Sequence, residues 1–332
     1  MRIQIVAPAP PGSTRGNRIT AMRWQCLLRE LGHAVELQET FAADRPTDCV
    51  ILLHARHSHA SVLSVSEQQP RVPVIVCLTG TDLHIDFAPQ SSDSASREIQ
   101  NRFQAVQQSL ELADQIVLLE PQGIQKLPQA MQKKCSVILQ SAEPVTNPNV
   151  PPSDCFLVSV LGHLRPVKDP FRTALAARLL PPTSKIKVQH IGDALTDQMK
   201  LAAEKESRTN DRYTWLGGIS HQQAMEQLAA SHLTVLSSEH EGAPSVISEA
   251  IVNQIPILAS QIDATVGLLG IDYPGFFAVG DTQRLATLLQ AAETQPEFLD
   301  AIKRAMSPLI SKFTPQRERE TWKSVLQNVG VA

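Results

Sequence analysis

Aromatic residues make up only 4% of this 332-residue chain: nine Phe, two Tyr and three Trp. So sparse a set leaves no platform for stacking the bases of single-stranded nucleic acid. Neither sign of charge is in excess, since 30 Lys and Arg stand against 33 Asp and Glu, a formal net charge of -3. That balance supplies no general attraction to nucleic acid or to an anionic membrane, so anions must be held at local sites. No stretch approaches the ~20 apolar residues of a membrane-spanning helix. The five cysteines, Cys26, Cys49, Cys77, Cys135 and Cys155, lack Cys-x-x-Cys spacing, and several sit in apolar runs such as DCVILL and VIVCLTG. They read as buried free thiols of a reducing cytosol rather than as disulfides or a metal set. The opening MRIQIVAPAPPG has too short an apolar run for a secretory leader. The expectation is a cytoplasmic protein with neither nucleic acid nor membrane as a partner. Walker, Gly-x-Ser-x-Gly and His-Glu-x-x-His spacings are missing, as is the Gly-x-Gly-x-x-Gly of a nicotinamide dehydrogenase.

What is present is a core-forming composition, 42% hydrophobic and 19% charged, with a repeated alternation of strand-like and helix-like runs. RIQIVAP, AVELQET, DCVILLHA, VPVIVCLTG, QIVLLE and CSVILQS read as strands. Between them, NRITAMRWQCLLRELGH, SVLSVSEQQ, EIQNRFQAVQQSLELA and QGIQKLPQAMQKK read as helices. In the first helix Ile19, Met22, Leu27, Leu28 and Leu31 fit one face. The proline-rich AEPVTNPNVPPSD then reads as a linker. The alternation restarts with CFLVSVLGHL and runs through KIKVQHIG, YTWLGG and LTVLSSE to IPILAS, with helices between and a final helix over about 315–328. Strands alternating with helices predict parallel βαβ units. The fold class is therefore α/β, two Rossmann-like domains facing each other across a cleft. The first spans 1–150, with the helix at about 315–332 returning to it, and the second spans 155–314. Ligands of such sheets lie beyond the carboxyl ends of the strands.

Four strand ends carry candidate chemistry. In PPGSTRGNR, Gly12 and Gly16 let a backbone approach a ligand, and a helix entrance with Arg15, Asn17 and Arg18 suits an anion; a tight turn with solvated arginines explains the same residues. In LGHLRPVKDP, His163, Arg165 and Lys168 cluster at a strand end and suit a diphosphate; a solvated basic loop is the bland account. In LSSEHEGAPSVISEA, Pro244 suits the first turn of a helix. That leaves the N–H groups of Ala243, Ser245 and Val246 open to an oxyanion or sugar oxygen. Glu241 and Glu249 flank that entrance and can accept hydrogen bonds from vicinal hydroxyls. Helix-dipole complementation, worth ~0.3–1 kcal/mol per acid, accounts for the pair equally well. Finally, His54, Arg56, Thr81 and Asp82 follow two adjacent strands.

The Ser-Ser-Glu-His-Glu-Gly, proline and Ser-Glu-Ala pattern resembles the Glu-x7-Glu element of retaining-type glycosyltransferases of the GT-B fold. The resemblance implies that Glu249 binds a nucleotide ribose, that Glu241 contacts the donor sugar, and that Lys168 of GHLRPVK holds the diphosphate. Where that superfamily has arginine directly after the glycine, this chain has His163, with Arg165 two positions on. Across nearly the whole chain, APAPPGSTRGNRITAMRW, LTGTDLH, LGHLRPVKDPFRTALAARLLPP and VGLLGIDYPGFFAVGD look like the selenosugar synthases of selenoneine biosynthesis. That family has Gly-Gly-Ala-Asn after the first glutamate, where this chain has Gly242, Ala243, Pro244 and Ser245. The resemblance implies transfer of a sugar from UDP-N-acetylglucosamine or UDP-glucose to selenophosphate. It assigns Lys168, Arg165, Glu241 and His163 to catalysis. Glu249, Gly242–Val246 and Gly217 fall to the donor, and Gly12, Arg15, Gly16, Asn17, Arg18, Arg56, Thr81 and Asp82 to the acceptor. Neither cofactor nor metal is expected, because Arg165, Lys168 and the helix entrance near Ser245 can stabilise the departing UDP. A hydroxyl acceptor and a non-catalytic nucleotide-sugar-binding protein are the alternatives.

Overall fold

The structure, a computed structural model, describes residues 1–13, 16–87 and 96–330. It divides into two units, Met1–Gln140 with Pro315–Ala332, and Ser141–Thr314. In the first unit the strands are β1 (Arg2–Val6), β2 (Ala34–Gln38), β3 (Cys49–Leu53), β4 (Val74–Leu78), β5 (Gln115–Leu118) and β6 (Cys135–Val137). The helices are α1 (Gly16–Glu30), α2 (His59–Ser66), α3 (Arg97–Leu112) and α4 (Gln129–Gln132). The sheet is parallel in the order β2-β1-β3-β4-β5-β6. Every residue of β3 and β4 is buried. Strands covered on both faces read as unbroken apolar runs, and CVILL and VIVCL do so.

The second unit contains β7 (Phe156–Leu161), α5 (Arg172–Arg178), β8 (Ile186–Ile191), α6 (Asp197–Thr209), β9 (Tyr213–Gly217) and α7 (His221–Ala229). It continues with β10 (Leu233–Leu236), α8 (Ser245–Val252), β11 (Ile257–Ser260), α9 (Asp263–Leu269), β12 (Phe276–Phe277), α10 (Thr282–Thr294) and α11 (Pro296–Met306). The chain then returns to the first unit as α12 (Pro315–Asn328). The second sheet is also parallel, in the order β12-β11-β10-β7-β8-β9. Local chemistry starts its helices where the polar residues fall. Ser220 and Gln223 form a capping box on α7, and the Thr196 hydroxyl accepts from the Met199 N–H to open α6.

Several expectations shift. On α1 the buried residues are Thr20, Ala21, Trp24, Leu27 and Leu28, whereas Ile19 and Met22 are 49% and 48% exposed. The buried face is rotated because α1 also packs against α12. There Trp24 meets Trp322 edge-on with ring centroids 4.8 Å apart. Trp24 Nε1 donates to Glu318 at 2.7 Å, and Arg23 pairs with the same carboxylate at 3.1 Å. QGIQKLPQAMQKK is not one helix: Pro128 separates a 3-10 turn at Gln122–Lys126 from α4. The proline-rich segment has no helix or strand, yet its beginning is held on the second unit. The Ala142 N–H donates to the Phe313 carbonyl at 3.1 Å, and the Val145 N–H to Asn253 Oδ1 at 2.8 Å. All five cysteines are free, but Cys26 is exposed rather than buried. Among the described residues no helix is long and apolar enough to cross a membrane.

Glu318→Ala leaves Trp24 Nε1 and the partly buried Arg23 without their shared acceptor. Removing one partner of a buried pair costs ~3–5 kcal/mol; since Arg23 can rehydrate in part, a loss of about 2–3 kcal/mol is expected. Urea unfolding followed by tryptophan fluorescence checks it, and an unchanged midpoint would contradict the assigned role of Glu318.

Candidate active site

In the second sheet the chain order reverses between β7 and β10, which lie side by side. Connections leave these two strands in opposite directions, so a crevice opens beyond their carboxyl ends. From β7 the chain enters Gly162 and the 3-10 turn Pro166–Lys168, and reverses at Asp169, whose φ is 44°. Asp169 pairs with Arg172 at 2.6 Å, and Arg172 also donates to Thr282 Oγ1 at 2.6 Å. From β10 the chain enters Ser237 and Ser238. Ser237 Oγ donates to the Asp169 carbonyl at 2.9 Å, and the Glu239 N–H to the Val167 carbonyl at 2.9 Å. The two connections are thereby stitched together.

Across this seam the Lys168 ammonium donates to Glu241 Oε1, and Ser238 Oγ donates to the same oxygen at 2.6 Å. The side chains of Lys168 and Glu241 are 20% and 9% exposed. Charge this deep requires neutralisation, and each group supplies it to the other. Helix α8 then begins at Ser245, with Pro244 as its N-cap rather than in its first turn. As first-turn donors, the N–H groups of Ser245 and Val246 have no carbonyl inside the helix to bind. Glu249 lies in the second turn at 8% exposure.

His163 is held through its ring: the Asp193 N–H donates to His163 Nδ1 at 3.1 Å. Arg165 is exposed, and its guanidinium has no partner among the described residues. Behind this loop lies a residue that spacing did not single out. His190 is fully buried; its Nε2 lies 3.0 Å from the Gly162 carbonyl and its Nδ1 3.0 Å from the Tyr213 hydroxyl. Burial pushes its pKa down to about 4 against the pull of the neighbouring carbonyls. The neutral ring therefore donates from Nε2 to Gly162 and accepts at Nδ1 from Tyr213. The only sequence signal was a polar residue inside the apolar run KIKVQHIG. His190, Gly162, Lys168, Ser237 and Ser238 line one small cavity at these strand ends. Gly217 ends β9 with φ 74°. At the adjacent Gly218 an added Cβ would lie 2.0 Å from Asp193 Oδ1.

In the first unit the order reverses between β1 and β3. Gly12 turns the chain with φ 79°, and Ser13 donates its N–H to the Pro10 carbonyl at 3.1 Å. Arg15 lies outside the described residues. Gly16, Asn17 and Arg18 form the first turn of α1, and the buried Nε of Arg18 has no acceptor among the described residues.

Two expected acceptor contacts need correction. Asp82 is fully buried, and its carboxylate accepts the N–H groups of Ala55 (2.9 Å), Thr79 (3.0 Å), Gly80 (2.8 Å) and Leu83 (3.2 Å). It ties the connections after β3 and β4 together and offers no free oxygen. Arg56 pairs with the buried Asp86 at 2.7 Å instead of standing free. Thr81 is exposed, with Oγ1 2.9 Å from His54 Nε2. His54 has φ 69°, and its Nδ1 accepts the His57 N–H at 3.3 Å. At 3.9 Å, Asp82 is too far from His54 Nδ1 to complete a Thr-His-Asp relay. His57 stacks on His54 with centroids 3.9 Å apart, and burial lowers its pKa to about 4. Among the described residues no group of His, Cys, Asp and Glu is arranged to hold a metal ion.

Residues 141–306, half of the chain, match the family model described as glycosyl transferases group 1. No curated protein sequence matches. The structure is similar to that of a sucrose-phosphate synthase from Thermosynechococcus elongatus, with TM-score 0.79 at 14% identity, covering 99% of this chain and 98% of that one. It is similar to Anabaena HepE in complex with UDP, with TM-score 0.74 at 17% identity, covering 98% and 100%. HepE in complex with UDP-glucose gives TM-score 0.74 at 16% identity, covering 98% and 99%. The fold is thus the GT-B arrangement of two Rossmann-like domains.

The buried His190 links this site to pH. Its folded pKa of about 4 lies below the ordinary value of 6.5, so the neutral ring supports folding fully above pH 6.5. That support is lost as pH falls from 6.5 toward 4, by on the order of 3 kcal/mol at the acid end. Thermal unfolding of the native chain and of His190→Gln across that range checks it. The native midpoint is expected to fall more steeply, and parallel curves would contradict the burial argument.

Proposed function

The chain belongs to the group 1 glycosyl transferases, and from that membership we propose that it transfers a sugar from a UDP-sugar to selenophosphate, forming a 1-selenosugar. The observation that carries the donor half is the Lys168–Glu241 pair across the β7/β10 crevice, beside the open end of α8. UDP and UDP-glucose are the ligands of the HepE structures, which share this fold. In this reading the second unit is the donor domain. Lys168 and the exposed Arg165 bind the diphosphate, with the N–H groups of Ser245 and Val246 as further donors. Glu249 takes the ribose hydroxyls and Glu241 the sugar. When the diphosphate arrives, Lys168 exchanges its carboxylate partner for phosphate oxygens, and Glu241 is released to accept from a sugar hydroxyl. Selenium then attacks the anomeric carbon, the bond from that carbon to the β-phosphate oxygen breaks, and UDP leaves with the electron pair; the sugar–Se–phosphate so formed gives the 1-selenosugar and inorganic phosphate when water cleaves its P–Se bond. The anionic selenium needs no general base, and the fixed positive groups stabilise the charge on UDP.

The acceptor half rests on the whole-chain resemblance to selenosugar synthases and on Gly12, Gly16, Asn17, Arg18 and Thr81 in the first unit. UDP-N-acetylglucosamine and UDP-glucose are the candidate donors. The engagement of Arg56 by Asp86 favours a second reading, a hydroxyl acceptor, because it leaves fewer free cations for a small anion.

Purified protein given UDP-N-acetylglucosamine or UDP-glucose with fresh selenophosphate is expected to release UDP and yield a selenium-containing sugar. UDP release without selenium in the product would transfer the assignment to the hydroxyl acceptor. Glu249→Ala is expected to weaken UDP binding by about tenfold or more, as loss of a charged hydrogen-bond acceptor does. Lys168→Ala is expected to lower turnover by on the order of 10²-fold. Calorimetry and initial rates measure the two, and unchanged UDP affinity in the first variant would remove the ribose assignment.

A further inference from the structure

We propose that the backbone N–H of His163 is a diphosphate ligand, and that His190 and Tyr213 are positioning residues that aim it. The inference rests on the UDP-sugar reading and deepens it at the position where arginine is replaced by His163.

Three observations carry it. The Gly162 carbonyl is drawn inward by His190 Nε2 at 3.0 Å, from a ring that is itself held by the Tyr213 hydroxyl at 3.0 Å. In a planar trans peptide the next N–H points opposite to that carbonyl. The His163 N–H, just past the carboxyl end of β7, is therefore directed away from the buried His190. Its neighbours are committed elsewhere: the Gly162 N–H to Ile191 at 2.9 Å and the Leu164 N–H to Asp193 at 2.8 Å. The His163 N–H has no acceptor among the described residues.

The peptide is also pressed from a second side. Gly192 has φ 152°, and a Cβ there would lie 2.1 Å from the Gly162 oxygen and 2.8 Å from the His163 nitrogen. The Trp215 Nε1 donates to the Gly192 carbonyl at 2.8 Å and holds that glycine in place. The peptide is thus fixed between His190 and Gly192 before any ligand arrives. A donor held in this way needs no reorganisation when an anion binds. His163 contributes through its backbone, while its ring is kept aside by the Asp193 N–H at 3.1 Å.

Binding of UDP and of uridine by the native chain, His190→Leu, His190→Gln and Tyr213→Phe tests this. Uridine lacks the phosphates and reports on the rest of the nucleotide site. His190→Leu is expected to weaken UDP by about tenfold while leaving uridine within about twofold. Gln places an N–H near the position of Nε2, so His190→Gln is expected to restore most of the UDP affinity. Tyr213→Phe is expected to fall between the two. Equal weakening of UDP and uridine, or no weakening of either, would overturn the positioning role. If His190→Leu does not fold, the UDP-to-uridine ratios of the other two variants decide. Should the native chain bind uridine and UDP equally, the His163 donor is excluded while a uridine site stands. Should it bind neither, the UDP-sugar reading fails and this inference with it.

Discussion

Two strands that are neighbours in space but distant in sequence, β7 and β10, govern the geometry of the second unit. Their connections run to opposite sides, so the crevice at their carboxyl ends is a consequence of strand order. Everything with charge in this unit's candidate site sits on those connections. Lys168 follows β7, Glu241 follows β10, and the serine hydroxyls after β10 hold both in register. An ion pair this deep adds little net stability, because desolvation offsets most of the attraction. Its value is positional: two opposite charges stay ordered at a place where neither would remain alone.

That arrangement also explains how the fold accommodates charged groups at these strand ends. Lys168 is neutralised by Glu241, and Asp169 by Arg172. Arg165 stays in solvent. Among the described residues, the backbone donors at the entrance of α8 and at His163 are also left unmatched. Unmatched N–H groups at a helix end cost little while water reaches them, and they bind an anion without moving. In the proposed reading, an incoming phosphate displaces the Glu241 carboxylate from Lys168 and meets backbone donors that are already in place.

The first unit uses a buried carboxylate differently. Asp82 accepts four backbone N–H groups from two connections and so fixes the backbone that presents Thr81. Glu318 does similar work farther along the chain, where it joins α12 to α1 through Trp24 and Arg23. Both acids are interior anchors: Asp82 joins the connections after β3 and β4, and Glu318 joins two helices.

By itself the sequence determined two parallel α/β sheets, since short apolar runs broken by amphipathic helices can bury their faces in few other ways. It also determined that Glu241 and Glu249 flank one helix entrance, because both lie within a single strand-to-helix connection. Beyond IPILAS, TQRLATLLQAAET and PEFLDAIKRAM carry helical spacing that the strand-and-helix reading passed over, whereas β12, only two residues long, was not legible. Polar spacing could not separate Asp82, closed by backbone amides, from an open carboxylate. Nor could it show that Arg56 is taken up by Asp86, that Ile19 and Met22 face outward, or that His190 supports Gly162. Those facts depend on which segments meet, and strand order leaves no trace in local periodicity. Tertiary structure alone decided that GHLRPVK and SSEHEG are adjacent, because only the side-by-side placement of β7 and β10 brings their ends together.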